Sequence, residues 1–207
     1  MNLYQLIAAA PQAVPEASRV FGVVIGLVTA NKDPDGMGRV KVKFPWLSDV
    51  DESSWARVAT PMAGGQRGLY LLPEVGDEVL VAFDHGDVRF PYVLGGLWNG
   101  QDKPPADNAD DKNNLRLLRS RSGHLIKLND EDGKETIEII DKTGKNKIVF
   151  DAAANVVTIS SDKDIALKAP QGKVSVDAKE LELKSSGACT LEAGGDLTIK
   201  GSTVNIN

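Results

Sequence analysis

A short motif recurs nine times between residues 137 and 206: two apolar residues separated by a single residue. The spacing between the first members of successive motifs settles at roughly eight residues. Such a period is typical of a stack of very short strands, a β-solenoid or β-prism, rather than of an ordinary globular sheet. These apolar triplets are Ile137/Ile139, Ile148/Phe150, Val157/Ile159, Ile165/Leu167, Val174/Val176, Leu181/Leu183, Cys189/Leu191, Leu197/Ile199 and Val204/Ile206.

The middle residue of most triplets is polar or small, as in Glu138, Thr158 and Ser175. Side chains of a strand point alternately to opposite faces, so we expect each apolar pair to face inward and the middle residue to face water. Sequences such as Pro170-Gln171-Gly172 separate the triplets and predict turns. A strand this short cannot bury its own apolar pair, so the pattern requires other strands to cover it.

Two arrangements satisfy that requirement. One chain could coil as a solenoid with three strands per turn, or three chains could wind together into a triangular prism. A solenoid needs capping ends that hide its edges and its core, whereas the triplet pattern continues to Asn207. The pattern favours the trimer and leaves the solenoid open.

The residues ahead of the repeats predict a small barrel. Five candidate strands lie between turn sequences such as Asp84-His85-Gly86-Asp87, and they predict an OB-like all-β barrel. The expected organisation is an N-terminal arm at 1–19, a barrel at 20–99, a linker at 100–115 and a shaft at 116–207. The arm could dock on a neighbouring subunit or be a disordered tail. The candidate strands are 20–29, 38–44, 54–60, 77–84 and 91–98.

Composition narrows the function classes. The net charge is −5 and the pI is about 5.1, so no basic face for nucleic acid or anionic lipid is expected. No segment reaches the roughly 20 apolar residues that span a bilayer. The N-terminus has neither the basic region nor the full apolar region of a signal peptide, which predicts a protein made in the cytoplasm.

Candidate chemical sites are weak. The two histidines, His85 and His124, and the single cysteine, Cys189, lack metal-site spacing, so no metal, cofactor or catalytic residue is expected. The carboxylates near the barrel turns, namely Glu74, Glu78, Asp84 and Asp87, indicate a solvated rim rather than a glycosidase pair. The alternative function is an OB-fold binder of oligonucleotide or oligosaccharide with a β-solenoid extension, which would use Arg39, Lys41, Lys43 and Trp46.

Long ordered segments carry a family resemblance. GRVKVKFPWLSD (38–49), SSWARVATPMAGGQRGLYLLPEVGDEVLVAFDHGD (53–87) and PYVLGGLWNGQDKPP (91–105) closely resemble the OB-fold region of VgrG proteins and of phage baseplate assembly protein V. RSRSGHLIKLNDEDGKETIEIIDKTG (119–144) is similar to the stretch where this family enters a triple-stranded β-helix. Together these segments lie between residues 38 and 144.

The resemblance implies an OB-fold barrel followed by an intertwined trimeric β-helix. It implies a structural, non-enzymatic spike at the baseplate centre of a phage tail, a type VI secretion system or an extracellular injection system, which pierces the target envelope and touches its membrane transiently. The expected trimer core is Ile148, Phe150, Val157, Ile159, Ile165, Leu167, Val174, Val176, Leu181, Leu183, Cys189, Leu191, Leu197 and Ile199.

The resemblance also implies partners. The family's large hub region would precede the barrel, and only a short arm (1–19) stands there, so a separate hub protein is expected above the barrel together with other baseplate proteins. The sequence ends without the His-x-His of some phage spikes. A PAAR-type tip protein is therefore expected to bind Thr203, Val204, Asn205, Ile206 and Asn207. The assembled protein would belong to a virion or an injection particle.

Overall fold

The computed structural model describes residues 19–206, and the chain divides into two compact units, Met1–Leu115 and Arg116–Asn207. The predicted arm lies outside the described residues apart from Arg19. Regular structure within the described residues consists of strands and one short 3₁₀ turn at Asp84–Gly86, which confirms the all-β class. No helix there is long and apolar enough to cross a membrane.

The described residues of the first unit contain seven strands. Five of them form one sheet in the order β2-β1-β6-β7-β3, and β4 and β5 form a separate hairpin. The five predicted barrel strands are present but shorter than expected, and β4 and β5 form an additional hairpin whose tip is Gly65-Gln66. The strands are β1 (Val23–Ala30), β2 (Lys41–Lys43), β3 (Arg57–Val58), β4 (Ala63–Gly64), β5 (Arg67–Gly68), β6 (Glu78–Phe83) and β7 (Pro91–Gly96).

Two isolated bridges, Val40 with Ala56 and Lys43 with Glu52, close this sheet into a barrel. Val40 N donates to Ala56 O at 3.0 Å, and Ala56 N donates to Val40 O at 2.7 Å. These reciprocal bonds join the β2 and β3 sides, which are the two edges of the sheet. Closure leaves no long open edge, and five strands closed in this way form the OB-like barrel that the sequence predicts.

The barrel core is built from small branched side chains that alternate along the strands. On β6, Val79, Val81 and Phe83 are buried and the residues between them are half-buried, which is the period of two that one buried sheet face imposes. Gly26 is buried against Val42, and a Cβ at that position would collide with the Val42 side chain. The full core is Val28, Val40, Val42, Phe44, Ala56, Val79, Val81, Phe83 and Val93.

A charged clasp fixes the loop between β1 and β2. The guanidinium of Arg39 donates from Nε to Asp33 Oδ2 at 2.9 Å and from Nη2 to Oδ1 at 2.6 Å. The Asp33 carboxylate also accepts the backbone N–H groups of Asp35, Met37 and Arg39. Chiefly because of the Arg39 hydrogen bonds, the pKa of Asp33 is held far below its usual range.

The second unit begins with an antiparallel meander. Its strands lie in the order β12-β11-β10-β9-β8, so each strand pairs with the next one along the chain. They are β8 (Leu115–Arg119), β9 (Leu125–Asn129), β10 (Thr136–Ile140), β11 (Lys147–Asp151) and β12 (Val156–Ser160). Residues 161–206 follow without a strand pairing within the described chain.

Candidate functional site

The apolar triplets of the meander form two continuous rows. Residues directly opposite one another in neighbouring strands have side chains on the same face. The observed register places Ile137 opposite both Leu128 and Phe150, and Ile139 opposite both Ile126 and Ile148. The two rows, each running across four strands, are Leu128–Ile137–Phe150–Val157 and Ile126–Ile139–Ile148–Ile159.

These apolar rows are poorly covered by their own chain. Apart from the partly buried Ile148, their members are 41–60% exposed. On the opposite face, the middle residue Glu138 is better covered than its apolar neighbours, with a side chain 17% exposed. The predicted alternation is therefore present, but within one chain the apolar face is the more open of the two. An apolar patch of this extent marks an interaction surface.

An ion pair organises the polar face of the sheet. Lys127 Nζ lies 2.8 Å from Glu138 Oε1 at directly opposite positions of β9 and β10. Thr136 Oγ1 donates to the same carboxylate oxygen at 2.9 Å. Hydrogen bonding from Lys127 lowers the pKa of Glu138, while its partial burial acts in the other direction. The pair reinforces the register that aligns the apolar rows behind it.

A turn network fixes the point where the chain leaves the sheet. The Asp141 carboxylate accepts from the Thr143 hydroxyl at 2.7 Å and from Asn146 Nδ2 at 2.9 Å, and these hydrogen bonds lower the pKa of Asp141 to about 2. Asn146 Oδ1 in turn accepts from Ser161 Oγ at 2.8 Å and from the Asp162 N–H at 3.1 Å. The β10–β11 turn therefore anchors the end of β12.

Beyond that anchor, the chain bends at regular intervals. Bends fall at 162–163, 170–172, 179, 186–187, 194–195 and 202, and each separates two apolar triplets. The Gly172 N–H donates to Ala169 O at 3.1 Å in the predicted Pro170 turn. The large apolar triplet residues from Ile165 to Ile206 are 51–87% exposed, and Cys189 is exposed as well. These segments present apolar pairs that nothing in the described chain covers.

The expected tip residues share this exposure. Val204 is 51% and Ile206 is 87% exposed, and Thr203 and Asn205 are exposed too. Asn207 lies outside the described residues.

The other candidate sites are dispersed. His85 occupies the 3₁₀ turn after β6, whereas His124 Nδ1 accepts the Lys142 N–H at 3.2 Å in the second unit. No metal-binding group of three or more His, Cys, Asp or Glu side chains occurs among residues 19–206. Of the rim carboxylates, Asp87 is engaged by Arg89, which lowers the pKa of Asp87 to about 2, and Glu78 accepts from Asn99.

The basic residues that the nucleic-acid-binding alternative would use are partly neutralised by nearby carboxylates. Arg39 is held by Asp33 and Asp35. Lys41 Nζ lies 3.2 Å from Glu52 Oε2 and 5.7 Å from the centre of the Trp55 ring. A basic stripe whose charges pair with carboxylates of the same domain offers little to a phosphate backbone.

One pair of row residues was missed by the sequence analysis. Ile126 and Leu128 head the two apolar rows, yet the repeat count started at Ile137. The signal was available, because Ile126-Lys127-Leu128 is itself an apolar triplet, and its distance from Ile137 is the same as the distance from Ile137 to Ile148.

A closed five-stranded barrel followed by repeats with open apolar pairs defines a barrel-and-repeat protein whose repeats expose an apolar surface. Comparison with known proteins then identifies the barrel: residues 24–98 match the type VI secretion system/phage-baseplate injector OB domain. The barrel belongs to that domain family, and the chain is VgrG-like, as its sequence resemblance predicted.

Several curated relatives match beyond the barrel. The chain is 28% identical to the actin cross-linking toxin VgrG1 of Vibrio cholerae over 96% of its own length and 18% of the relative. It is 31% identical to the type VI secretion system spike protein VgrG3 of Vibrio cholerae over 70% of its length and 14% of that protein. It is 28% identical to the spike protein VgrG1a of Pseudomonas aeruginosa over 74% of its length and 26% of that protein.

The chain thus spans about a quarter or less of these relatives. Two of them are spike proteins by name, and the third is named as a toxin that cross-links actin. The similarity supports a structural component of a secretion or baseplate assembly that works with other components, and it does not favour the oligonucleotide- or oligosaccharide-binding alternative.

Proposed function

We propose that this protein is a non-enzymatic, homotrimeric spike of a contractile injection machine, with residues 116–207 forming a shaft that pierces the target envelope when the sheath contracts. The observation that carries the proposal is the run of uncovered apolar pairs from Ile165 to Ile206. A chain whose pairs are more than half exposed gains free energy when other copies cover them, at about 25 cal/mol per Å² of apolar surface.

Trimer geometry accommodates the pattern. The triplets Ile137/Ile139, Ile148/Phe150 and Val157/Ile159 pair within the antiparallel meander of one chain, so the six triplets from Ile165 to Ile206 are left to wind with the other copies. If each of three chains contributes these six triplets to three faces, every face contains six strands. At about 4.7 Å between strands, the wound part of the shaft is roughly 25–30 Å long. The trimer core in this arrangement consists of the expected residues from Ile148 to Ile199, and Ile126, Leu128, Ile137 and Ile139 extend it at the N-terminal end of the shaft. All three chains would have to separate together for the shaft to unfold.

Further partners belong to the same proposal. A separate hub protein would bind above the barrel, and the barrel exposes half or more of the surface of Phe21, Trp46 and Phe90. A PAAR-type tip protein would cover residues 203–207, since Val204 and Ile206 are open. The protein would be made in the cytoplasm and built into a virion or injection particle with other baseplate proteins. Its shaft would contact the target membrane only in passing.

Light scattering coupled to size-exclusion chromatography tests the trimer. The chain has a mass of 22.1 kDa, and a trimer has three times that mass. We expect the threefold mass at micromolar concentration and early elution for a particle of that mass, since the shaft is elongated. A stable species of 22.1 kDa would overturn the spike proposal and return the single-chain solenoid to consideration.

A further inference from the structure

Charged residues flank five of the six apolar triplets of residues 161–206, from Ile165/Leu167 to Leu197/Ile199. The residue after each of these five triplets alternates in sign along the chain: Lys168, Asp177, Lys184, Glu192, Lys200. The residue before each of them alternates in the opposite phase, with one neutral position: Asp164, Lys173, Glu180, Ala188, Asp196. We call these two sets the trailing column and the leading column. The sixth triplet, Val204/Ile206, lies between the uncharged Thr203 and Asn207.

In extended strands, both columns would lie on the face opposite the apolar pairs. The leading, middle and trailing positions of a triplet are two residues apart, so their side chains point the same way from an extended strand. In agreement with this, Lys184 Nζ lies 2.6 Å from Oε1 of the middle residue Glu182. Among residues 19–206, no ion pair joins any other member of the two columns to a residue of the same chain.

The order of signs discriminates between ways of stacking the strands. If neighbouring strands run parallel and lie one repeat apart, each column places opposite charges side by side, as in Asp177 beside Lys184. If successive repeats paired antiparallel, like the strands of the β8–β12 meander, the trailing position of one would face the leading position of the next. That arrangement opposes Lys168 to Lys173, Asp177 to Glu180 and Glu192 to Asp196. Like charges directly opposite each other destabilise a strand pair.

Chain geometry then indicates which strand is the neighbour. Parallel strands that are adjacent in sequence need a crossover of about a dozen residues or more. Successive triplets here begin only about eight residues apart, so a repeat cannot be the parallel neighbour of the repeat that follows it in its own chain. In a single-chain solenoid with three strands per turn, the parallel neighbour would be the repeat three further along, where the signs are also opposite, as in Lys168 and Glu192. In the trimer proposed above, the neighbour that meets both conditions is the adjacent repeat of a second copy.

We propose that the two charge columns pair repeats of different copies, in parallel and one repeat apart, and so set the register in which the chains wind together. This inference rests on the trimer proposed above. The apolar pairs supply most of the association energy but are similar from repeat to repeat, so they discriminate poorly against slippage. Slipping one copy by one repeat would align charges of the same sign along both columns. Exposed pairs of this kind contribute little individually, and their arrangement gives specificity.

The test compares Lys184→Glu with Lys179→Glu in the full chain. Both variants reverse one lysine charge, but Lys184 belongs to the trailing column and Lys179 lies at a bend between triplets. We expect Lys184→Glu to lower the thermal midpoint of the trimer by about 5 °C in low salt, and Lys179→Glu to change it by much less. At about 1 M salt, where the screening length is about 3 Å, most of the difference should vanish.

Two further variants separate the column from other effects. Glu182→Gln removes the ion pair within the strand and leaves both columns intact, so it should resemble the wild type. Inverting the whole trailing column (Lys168→Glu, Asp177→Lys, Lys184→Glu, Glu192→Lys and Lys200→Glu together) restores alternation and should recover most of the loss. If the wild type is a trimer and Lys184→Glu and Lys179→Glu have equal effects, the proposal that the charge columns set the register is wrong, and the trimer proposal is unaffected. A wild-type mass of 22.1 kDa would refute both proposals.

Discussion

Replacing Val176 with aspartate tests whether the apolar pairs form the core of an assembly. Val176 is the second member of its triplet and is 67% exposed in the single chain. The aspartate would therefore be well solvated in an isolated chain and should not disturb the barrel. In the trimer the same carboxylate would be buried three times, close to the axis. The substitution penalises association and spares folding of the first unit.

The magnitude follows from that exposure. Full burial of a valine side chain stabilises by about 1.5–3 kcal/mol, so covering the remaining two thirds contributes about 1–2 kcal/mol per chain. Val176→Asp forfeits that in all three copies, about 3–6 kcal/mol per trimer. Burying an unpaired carboxylate adds a penalty of several kcal/mol per ion. The sum is on the order of 10 kcal/mol or more, comparable to the whole stability of a domain, so the trimer should not form.

The assay is the solution mass of Val176→Asp beside its neighbour Ser175→Asp. Ser175 is the middle residue of the same triplet, so its variant introduces the same charge on the opposite face. We expect Ser175→Asp to keep the mass of three chains and Val176→Asp to fall to 22.1 kDa or to aggregate. A soluble, normally assembled Val176→Asp trimer would refute the inward orientation of the apolar pairs. Loss of assembly in both variants would contradict the expected difference between the apolar face, which carries Val176, and the polar face, which carries Ser175.

Three further outcomes are expected. Phe83→Ala should destabilise the barrel by about 3–5 kcal/mol in urea unfolding, whereas the exposed Phe90→Ala should change it little; equal costs would contradict the described core. The lowered pKa of Asp33 means that its bonds with Arg39 stabilise the fold above the ordinary value of 3.8 and that this stabilisation is lost as the pH falls below it. The thermal midpoint of Asp33→Asn should therefore lie below that of the wild type at neutral pH and approach it in strong acid. A difference between the two midpoints that does not change with pH would contradict the stabilising role of the Asp33–Arg39 hydrogen bonds. Deleting residues 203–207 should preserve the trimer but weaken co-purification of a PAAR-type tip protein; undiminished binding would place that interface elsewhere.

The barrel was predictable because local signals agree with the fold. Alternation through Val79, Val81 and Phe83 marks a strand with one buried face, and the sequence around His85 marks the turn that follows it. Strand lengths were less predictable, since β3 pairs only at Arg57 and Val58. Pairing of that strand is decided by its distant neighbour β7, which no local pattern reveals. The β4–β5 hairpin is absent from the predicted strands because its two strands have only two residues each.

The repeats show a different limit. Periodicity identified which residues share a face, and the register of Ile137 with Leu128 and Phe150 confirms that alternation. The periodicity of the sequence does not indicate which of the two faces is more exposed in a single chain. The polar face is better covered because Lys127 and Glu138 pair across it, whereas the apolar rows have no covering layer within the described residues. In the proposed trimer other copies cover those rows, and a periodic pattern does not specify which chains do so.

The regular bends between residues 162 and 202 also bear on how such a protein could vary in length. Each stretch between bends is a module of about eight residues that carries its own apolar pair and turn. Inserting modules would therefore change the length of the proposed shaft without altering the barrel. In the proposed trimer, one added module per chain lengthens it by about 4.7 Å. Alternating charge makes the preferred increment two modules, because an odd insertion places two like charges next to each other. The length of the proposed shaft would therefore change in steps of two modules.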